Sequence, residues 1–236
     1  MSMPSALASE VRPYHGRVIR IVEGQHQIST NRLTGNSADQ LLLEALADDV
    51  KPQLPEAARH LPWLLAAPSR YGLGRPSRFR AADVLPGIFY AAEDIETAVA
   101  ETAHWRLVAF SRSPEFQRPK TPTPMSAFSV MVVTNAALDL TSGALAAEVE
   151  RWTHPTDYSA TQRLATEARE LGVAAMRAPS ARRRGGINVA VLEPVALVPP
   201  PKPHSSWAFL ANEDGLIATR EMGAATLRFH LGTGDT

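Results

Sequence analysis

The chain has 236 residues, 44% of them hydrophobic, and its 24 Lys and Arg side chains balance its 24 Asp and Glu side chains. A neutral protein has no electrostatic reason to bind nucleic acid or a membrane surface directly. The lack of cysteine excludes disulfides, thiolate metal sites and cysteine nucleophiles. No stretch has the apolar length of a signal peptide or a membrane span, so we expect a cytoplasmic protein.

The predicted elements mix short strands with helices. In chain order they are a strand over 16–24, a helix over 37–52, a short helix followed by an ordered loop over 68–80, a strand over 87–92, a helix over 94–111, a Pro/Thr linker over 118–124, an apolar strand over 125–141, helices over 142–152 and 157–172, strands over 173–180 and 182–200, and hairpin material over 206–232. Without regular βαβ alternation, this order predicts an α+β fold.

We expect one domain over residues 1–236, with a core over 16–198. The N-terminal segment 1–15 and the C-terminal tail 199–236 are expected at the periphery. The apolar residues of the tail (Phe209, Leu210 and Leu216) belong either to the core, which we favour, or to a partner surface.

The predicted helix over 94–111 carries an acid beside its apolar side. A stripe at three-and-four spacing is expected to be buried and consists of Ile95, Ala98, Val99, Thr102 and Trp105. Glu101 lies next to this stripe in helical projection. It is either a solvated glutamate, paired with Arg106, or a functional carboxylate.

An arginine-rich loop precedes the strand over 87–92. Arg75, Arg78 and Arg80 could make bidentate phosphate contacts, or could form a solvated basic loop. The Gly-rich motifs of dinucleotide-binding and P-loop proteins are absent from the sequence. A second basic run, 182–186, reads better as a solvated turn with a glycine hinge than as a phosphate contact.

Ser159 stands near the start of the helix over 157–172. A serine there usually caps the helix, but the same geometry can hold an anion or a ribose hydroxyl. The seven histidines are scattered without metal-ligand spacing, so no metal site is predicted.

Taken together, these segments resemble the RES domain, a bacterial family named for an arginine, a glutamate and a serine in that chain order. The family's arginine follows apolar residues of the first strand, which matches Arg20 in "VIRIVEGQH", with Arg17 as the alternative. Its glutamate lies on the helix after an aromatic-Tyr strand, which matches Tyr90 and Glu101 in "IFYAAEDIETAVAE". Its serine follows an acidic-aromatic pair at a helix start, which matches Ser159 in "DYS".

The resemblance runs from about residue 20 to residue 194 and includes the Arg78–Phe79 step before the strand. Arg80 is a departure, because many members have asparagine there. The resemblance implies an ADP-ribosyltransferase-like fold, with two small antiparallel sheets around an NAD cleft and flanking helices. It also implies NAD⁺ as substrate, without a metal, and we place Tyr71 with Arg78 and Arg80 among the residues that bind it.

The resemblance implies cleavage of the bond between nicotinamide and ribose. Glu101 would stabilise the positive charge that develops on the ribose. Arg20 and Arg78 would hold the diphosphate, Tyr90 would pack on the nicotinamide or its ribose, and Ser159 would orient the nicotinamide end. The acceptor of ADP-ribose (a protein side chain, phosphate or water) stays open.

The resemblance further implies a toxin whose cognate antitoxin has a helix-turn-helix DNA-binding part and covers the cleft. A protein target of ADP-ribosylation is a second possible partner. The competing hypothesis is a non-catalytic module that keeps the cleft to bind a nucleotide or dock a partner. The presence of all three named residue types weighs against it, and nicotinamide release would separate the two.

Overall fold

The computed structural model describes residues 3–24, 52–71, 74, 76–112 and 119–230. Within these ranges the α-helices are α1 (Met3–Ala8), α2 (Trp63–Ala66), α3 (Ile95–Arg112), α4 (Val149–Trp152) and α5 (Ser159–Glu170). The strands are β1 (Arg12–Glu23), β2 (Phe89–Ala92), β3 (Thr123–Asp139), β4 (Ala175–Pro179), β5 (Ile187–Val191), β6 (Leu197–Ala211), β7 (Leu216–Arg220) and β8 (Thr226–Phe229). The helix predicted over 37–52 lies, except for its last residue, outside the described residues.

The mixture of helices and strands confirms the predicted α+β class, but the strands form one sheet where two were expected. Its order is β1-β2-β5-β4-β3-β6-β7-β8, and β3 also pairs back with β1. Five strands therefore close into a ring, and the last three extend from it. The closure follows from the 17-residue length of β3, which pairs antiparallel with β1 and β6 and, at its far end, parallel with β4.

Alternation along β1 distributes its side chains between two cores. Val18 packs in the cluster that contains Phe89, whereas Ile19 and Ile21 pack in the cluster beneath α3. Arg20 shares a face with Val18, because successive strand residues point to opposite sides. Arg17, three residues earlier, points to the other face and is exposed.

Helix α3 is confirmed at nearly its predicted bounds. Asp94 caps it, because its carboxylate accepts hydrogen bonds of 2.8 Å from both the backbone N–H and the hydroxyl of Thr97. Its buried stripe is rotated from the predicted one and runs through Val99, Ala103 and Leu107. Thr102 and Trp105, which were predicted to be buried, line a cavity instead.

Helix α5 is also confirmed, and it ends where glycine was expected. Gly172 has a φ of +71°, the left-handed conformation that terminates helices. Its N–H donates to the carbonyl of Arg169, and the N–H of Val173 donates to that of Ala168. These bonds lead the chain directly into β4.

The C-terminal strands contribute to the core. Trp207 and Phe209 of β6, with Leu216 of β7, are buried in the cluster beneath α3. Phe209 also pairs with Thr123, so the end of the predicted linker is already part of β3. The tail was expected at the periphery, but it supplies core side chains because β6 pairs along β3. No helix in the described ranges is both long and apolar enough to cross a membrane.

Candidate active site

A cavity of about 540 Å³ lies between helix α3, strands β1 and β2, and the loops that precede β2 and follow β4. This volume falls within the usual range for small-molecule sites. Among the described residues, its charged lining consists of one carboxylate and four guanidinium groups: Glu101, Arg20, Arg78, Arg106 and Arg182. The cavity therefore suits an anionic ligand and presents one acid to it.

The two oxygens of Glu101 have different surroundings. Oε1 accepts a hydrogen bond of 2.6 Å from the Ser180 hydroxyl and another from the side-chain amide of Asn188. Oε2 has no hydrogen-bond partner among the described residues. One oxygen is thus anchored, and the other is available to a ligand in the cavity.

The hydroxyl of Ser180 uses its full hydrogen-bonding capacity, with one bond donated and two accepted. Its Oγ accepts the backbone N–H groups of Arg182 at 3.0 Å and Arg183 at 3.1 Å, so its proton is directed to Glu101. Sequence reasoning missed Ser180 and Asn188. The sequence offered one signal for Ser180, which follows a strand and precedes a glycine-containing turn. Serine hydroxyls in such turns often accept hydrogen bonds from backbone N–H groups.

Ser159 does not reach the cavity. It is the first residue of α5, it is exposed, and its backbone N–H donates to the Asp157 carboxylate at 2.9 Å. Hydrogen bonds from the backbone and side chain of Ser159 lower the pKa of Asp157. The helix-start geometry predicted for Ser159 is present, but it serves the turn. Its neighbour Tyr158 lines the cavity instead.

Arg20 lines the cavity, whereas Arg17 is exposed and does not belong to the described cavity lining. Its Nη1 donates to the carbonyl of Tyr90 at 2.7 Å, and its guanidinium lies 5.0 Å from the ring centroid of Phe89. Its Nε is buried without a partner. Burial lowers the pKa of Arg20 to about 10, so the group is still a cation at neutral pH. An incompletely paired cation of this kind complements an anion.

Tyr90 contributes its ring to the cavity wall, while its hydroxyl is already engaged. The hydroxyl lies 2.8 Å from Ser77 Oγ and accepts the backbone N–H of Phe79 at 3.0 Å. Burial raises the pKa of Tyr90. The phenol is therefore neutral and ties the arginine loop to β2.

Arg78 is buried at the cavity and binds backbone carbonyls. Its Nε donates to the Trp152 carbonyl at 3.0 Å, and its Nη2 donates to that of Pro179 at 2.7 Å. Burial lowers the pKa of Arg78, and the nearby negative charge of Glu101 opposes that shift. Arg78 thus ties the loop before β2 to the ends of α4 and β4 and keeps a positive charge near the acid.

Two of the residues predicted to bind the cofactor lie elsewhere. Arg80 is buried, and its Nη1 donates to the carbonyls of Ala81 at 3.1 Å and Val84 at 3.4 Å, so it supports its own loop. Tyr71 is 50% exposed. Neither belongs to the described cavity lining. Arg75, in the same loop, lies outside the described residues.

The basic run 182–186, expected to be a solvated turn, instead contributes Arg182 to the cavity wall. The Nη2 of Arg182 donates to the Pro155 carbonyl at 2.8 Å and to the Tyr158 hydroxyl at 2.9 Å. In the described part of the chain, no three His, Asp or Glu side chains converge as a metal site would require.

The fold and the site define an α+β protein that places one anchored carboxylate in an arginine-lined cavity. The sequence profile of the RES domain matches residues 53–211, more than half of the chain, and the chain therefore belongs to the RES domain family. Arg78, Tyr90, Glu101 and Ser180 lie within the matched residues, whereas Arg20 precedes them.

Among solved structures, the chain is similar to one described as the M. tuberculosis MbcT–MbcA toxin–antitoxin complex. The TM-score is 0.49 and the sequence identity is 15%, over 88% of this chain and 92% of that chain. A search of curated proteins finds no significant match.

Proposed function

We propose that this chain is the toxin of a bacterial toxin–antitoxin pair and that it consumes NAD⁺ in the cytoplasm. The reaction is cleavage of the bond between nicotinamide and ribose, followed by transfer of ADP-ribose to a protein side chain, phosphate or water. The observation that carries the proposal is Glu101, with Oε1 anchored by two donors and Oε2 unpaired in a cavity lined by arginines. Membership of the RES domain family supports it.

In this reaction the glycosidic C–N bond breaks, and its electron pair moves onto the ring nitrogen, which neutralises the pyridinium. Positive charge develops on the anomeric carbon and the ring oxygen of the ribose. The Oε2 of Glu101 stabilises that charge and can accept a hydrogen bond from a ribose hydroxyl. The acceptor then supplies an electron pair to the anomeric carbon and loses its proton.

The arginines divide the remaining tasks. Arg20 lines the cavity and uses Nη1 for its hydrogen bond to Tyr90, so its guanidinium is the best-placed cation for a phosphate oxygen. Arg182 supplies a second charge from the loop after β4. Arg78 binds carbonyls, so its part is to hold the loops and contribute charge at short range. The ring of Tyr90 offers a flat surface to the nicotinamide or its ribose.

The proposed partner is an antitoxin that carries a helix-turn-helix DNA-binding part and covers the cavity. A cover of this kind would block a substrate that must enter from solvent. The neutral net charge of the toxin fits a division of labour in which the partner binds the DNA.

The deciding experiment is nicotinamide release from NAD⁺ by the purified, antitoxin-free chain, with and without inorganic phosphate. We expect Glu101→Gln to lower kcat by at least a hundredfold, because it removes the charge that stabilises the transition state. Dependence on phosphate would identify phosphorolysis, and labelled NAD⁺ would reveal any modified protein.

Glu96→Gln is a matched control, since Glu96 stands on the same helix but does not line the cavity. Circular dichroism would establish that both variants are folded. Full turnover by a folded Glu101→Gln variant would exclude the proposed role. NAD⁺ bound without any nicotinamide release would favour the non-catalytic module.

A further inference from the structure

We propose that Trp105 is the surface on which the purine ring of the nucleotide stacks. The inference rests on the proposed function and extends it by assigning the two ends of the cavity. Trp105 is 42% exposed and lines the cavity, although its helix buries other apolar side chains. An indole is large, rigid and flat, and base–aromatic stacking is a common source of nucleotide affinity.

The position of Trp105 on α3 separates it from the reacting centre. It follows Glu101 by four residues, which is about 6 Å along a helix axis. Ala109 lies one further turn along the same face and also lines the cavity. The cavity therefore continues past the indole, and a ring at Trp105 belongs to a different part of the ligand from the ribose at Glu101.

The indole is supported from one side. The rings of His104 and Trp105 lie 5.5 Å apart with an interplanar angle of 78°. A perpendicular contact restrains the indole but leaves at least one of its faces uncovered by His104. Burial, with the charge of Arg182, lowers the pKa of His104 to about 4, so the imidazole is uncharged at neutral pH.

The charges around the cavity indicate whether a cation or a neutral ring would bind to the indole of Trp105. An exposed indole also attracts cations. Arg182 and Arg106 line the same cavity, however, and they would repel a second cation. The ligand must therefore carry a flat ring for the indole and a negative charge for the arginines. A neutral purine attached to a diphosphate has both, since the ring stacks while the phosphates lie near the arginines.

Binding of ADP and of pyrophosphate, measured by calorimetry, tests the inference without requiring turnover. We expect Trp105→Ala to raise the Kd for ADP about tenfold and to change the Kd for pyrophosphate by less than about twofold. Trp105→Phe should keep most of the ADP affinity, because a phenyl ring still stacks. Trp63→Ala is the matched control, since Trp63 is 44% exposed and does not line the cavity.

The inference is overturned if Trp105→Ala binds ADP with the wild-type Kd. It is also overturned if the substitution raises the Kd for pyrophosphate as much as it raises the Kd for ADP. A second arm compares NAD⁺ with nicotinamide mononucleotide, which lacks the purine. In Trp105→Ala the ratio of kcat/KM for NAD⁺ to that for the mononucleotide should fall about tenfold, chiefly through KM. If wild type releases no nicotinamide from either, the proposed function fails, while ADP binding still decides the role of Trp105.

Discussion

The orientation of the Glu101 carboxylate depends on two residues that lie outside its own helix. Ser180 and Asn188 both donate to Oε1 and so fix the direction of Oε2. A carboxylate on a helix could otherwise rotate about its side-chain torsions, and misplacement of a catalytic group by about 1 Å can lower a rate a hundredfold. We therefore predict a positioning role for Ser180, whose Oγ accepts two backbone N–H groups and donates its own proton to Glu101.

We predict that Ser180→Ala lowers kcat for nicotinamide release by about 10- to 100-fold with little change in KM, because the carboxylate keeps its charge but loses its orientation. Steady-state kinetics on NAD⁺ would measure the split. Ser159→Ala is the control, since that serine is exposed outside the cavity, and it should retain wild-type kinetics. A Ser159→Ala variant as defective as Ser180→Ala would contradict the geometry.

At the scale of elements, α3 has three surfaces with different tasks. One packs Val99, Ala103 and Leu107 on the sheet, and a second presents Glu101 and Trp105 to the cavity. Between them, His104 is half-buried against the indole and near the charge of Arg182. Its contribution to stability must therefore depend on pH.

Burial and Arg182 lower the pKa of His104 from 6.5 to about 4. Between these values the unfolded chain takes up a proton that the folded chain does not, so stability is lost as the pH falls from about 6.5 to about 4. We predict that His104→Gln removes about 1–2 kcal/mol of this loss, after discounting for the solvent that reaches a half-buried ring.

Urea unfolding at pH 7 and pH 4.5 would measure the effect as a difference between variant and wild type. His60→Gln serves as the control for the same substitution at an exposed histidine. If His104→Gln shows the wild-type pH dependence, the ring is not held neutral by its surroundings.

The sequence was a good guide to α3 and α5, because their caps and periodicity are local signals. Asp94 directly precedes the first residue of α3, and Gly172 follows the last residue of α5 by two positions. The partners of Glu101 were not predictable in this way. Ser180 and Asn188 are 79 and 87 residues further along the chain, and only the pairing of β5 with β4 and β2 brings them to α3.

The reliance on local patterns also explains why the sequence analysis selected Ser159 as a site residue and missed Ser180. A serine at a helix start has a recognisable local pattern, whereas a serine at a strand end acquires its role from tertiary contacts. Likewise, spacing alone could not tell that the ring of strands would leave Trp105 over a cavity. The ring closes because β3 is long enough to pair with both β1 and β4. The hydrophobic pattern of one strand does not show which other strands it will pair with.

At the scale of the whole molecule, the ring of strands is also joined by a polar network away from the cavity. The Nε and Nη2 of Arg177 on β4 donate to the two oxygens of Glu93, at 2.7 and 2.9 Å. Its Nη1 lies 3.3 Å from both oxygens of Asp139 on β3. The hydroxyl of Tyr14 on β1 donates to Glu93 at 3.0 Å. One guanidinium thus links segments that are distant in sequence.

Arg177→Met would leave two partly buried carboxylates facing each other without a cation. Fully buried pairs lose about 3–5 kcal/mol when one partner is removed. Because these side chains keep 26–33% of their exposure, we predict a loss of about 1–3 kcal/mol in the free energy of unfolding, measured in urea. Arg151→Met is the control, since the Arg151–Glu148 pair is exposed, and it should change stability by less than about 0.5 kcal/mol.

Because Arg177 does not line the cavity, Arg177→Met should keep kcat for nicotinamide release at temperatures where it remains folded. Ser180→Ala should instead lower kcat even well below its unfolding transition, although the loss of three hydrogen bonds at a buried hydroxyl also lowers its stability. The two variants together separate the scaffold from the site. A parallel loss of kcat and stability in Arg177→Met, well below its unfolding transition, would mean that the network also sets the geometry around Glu101.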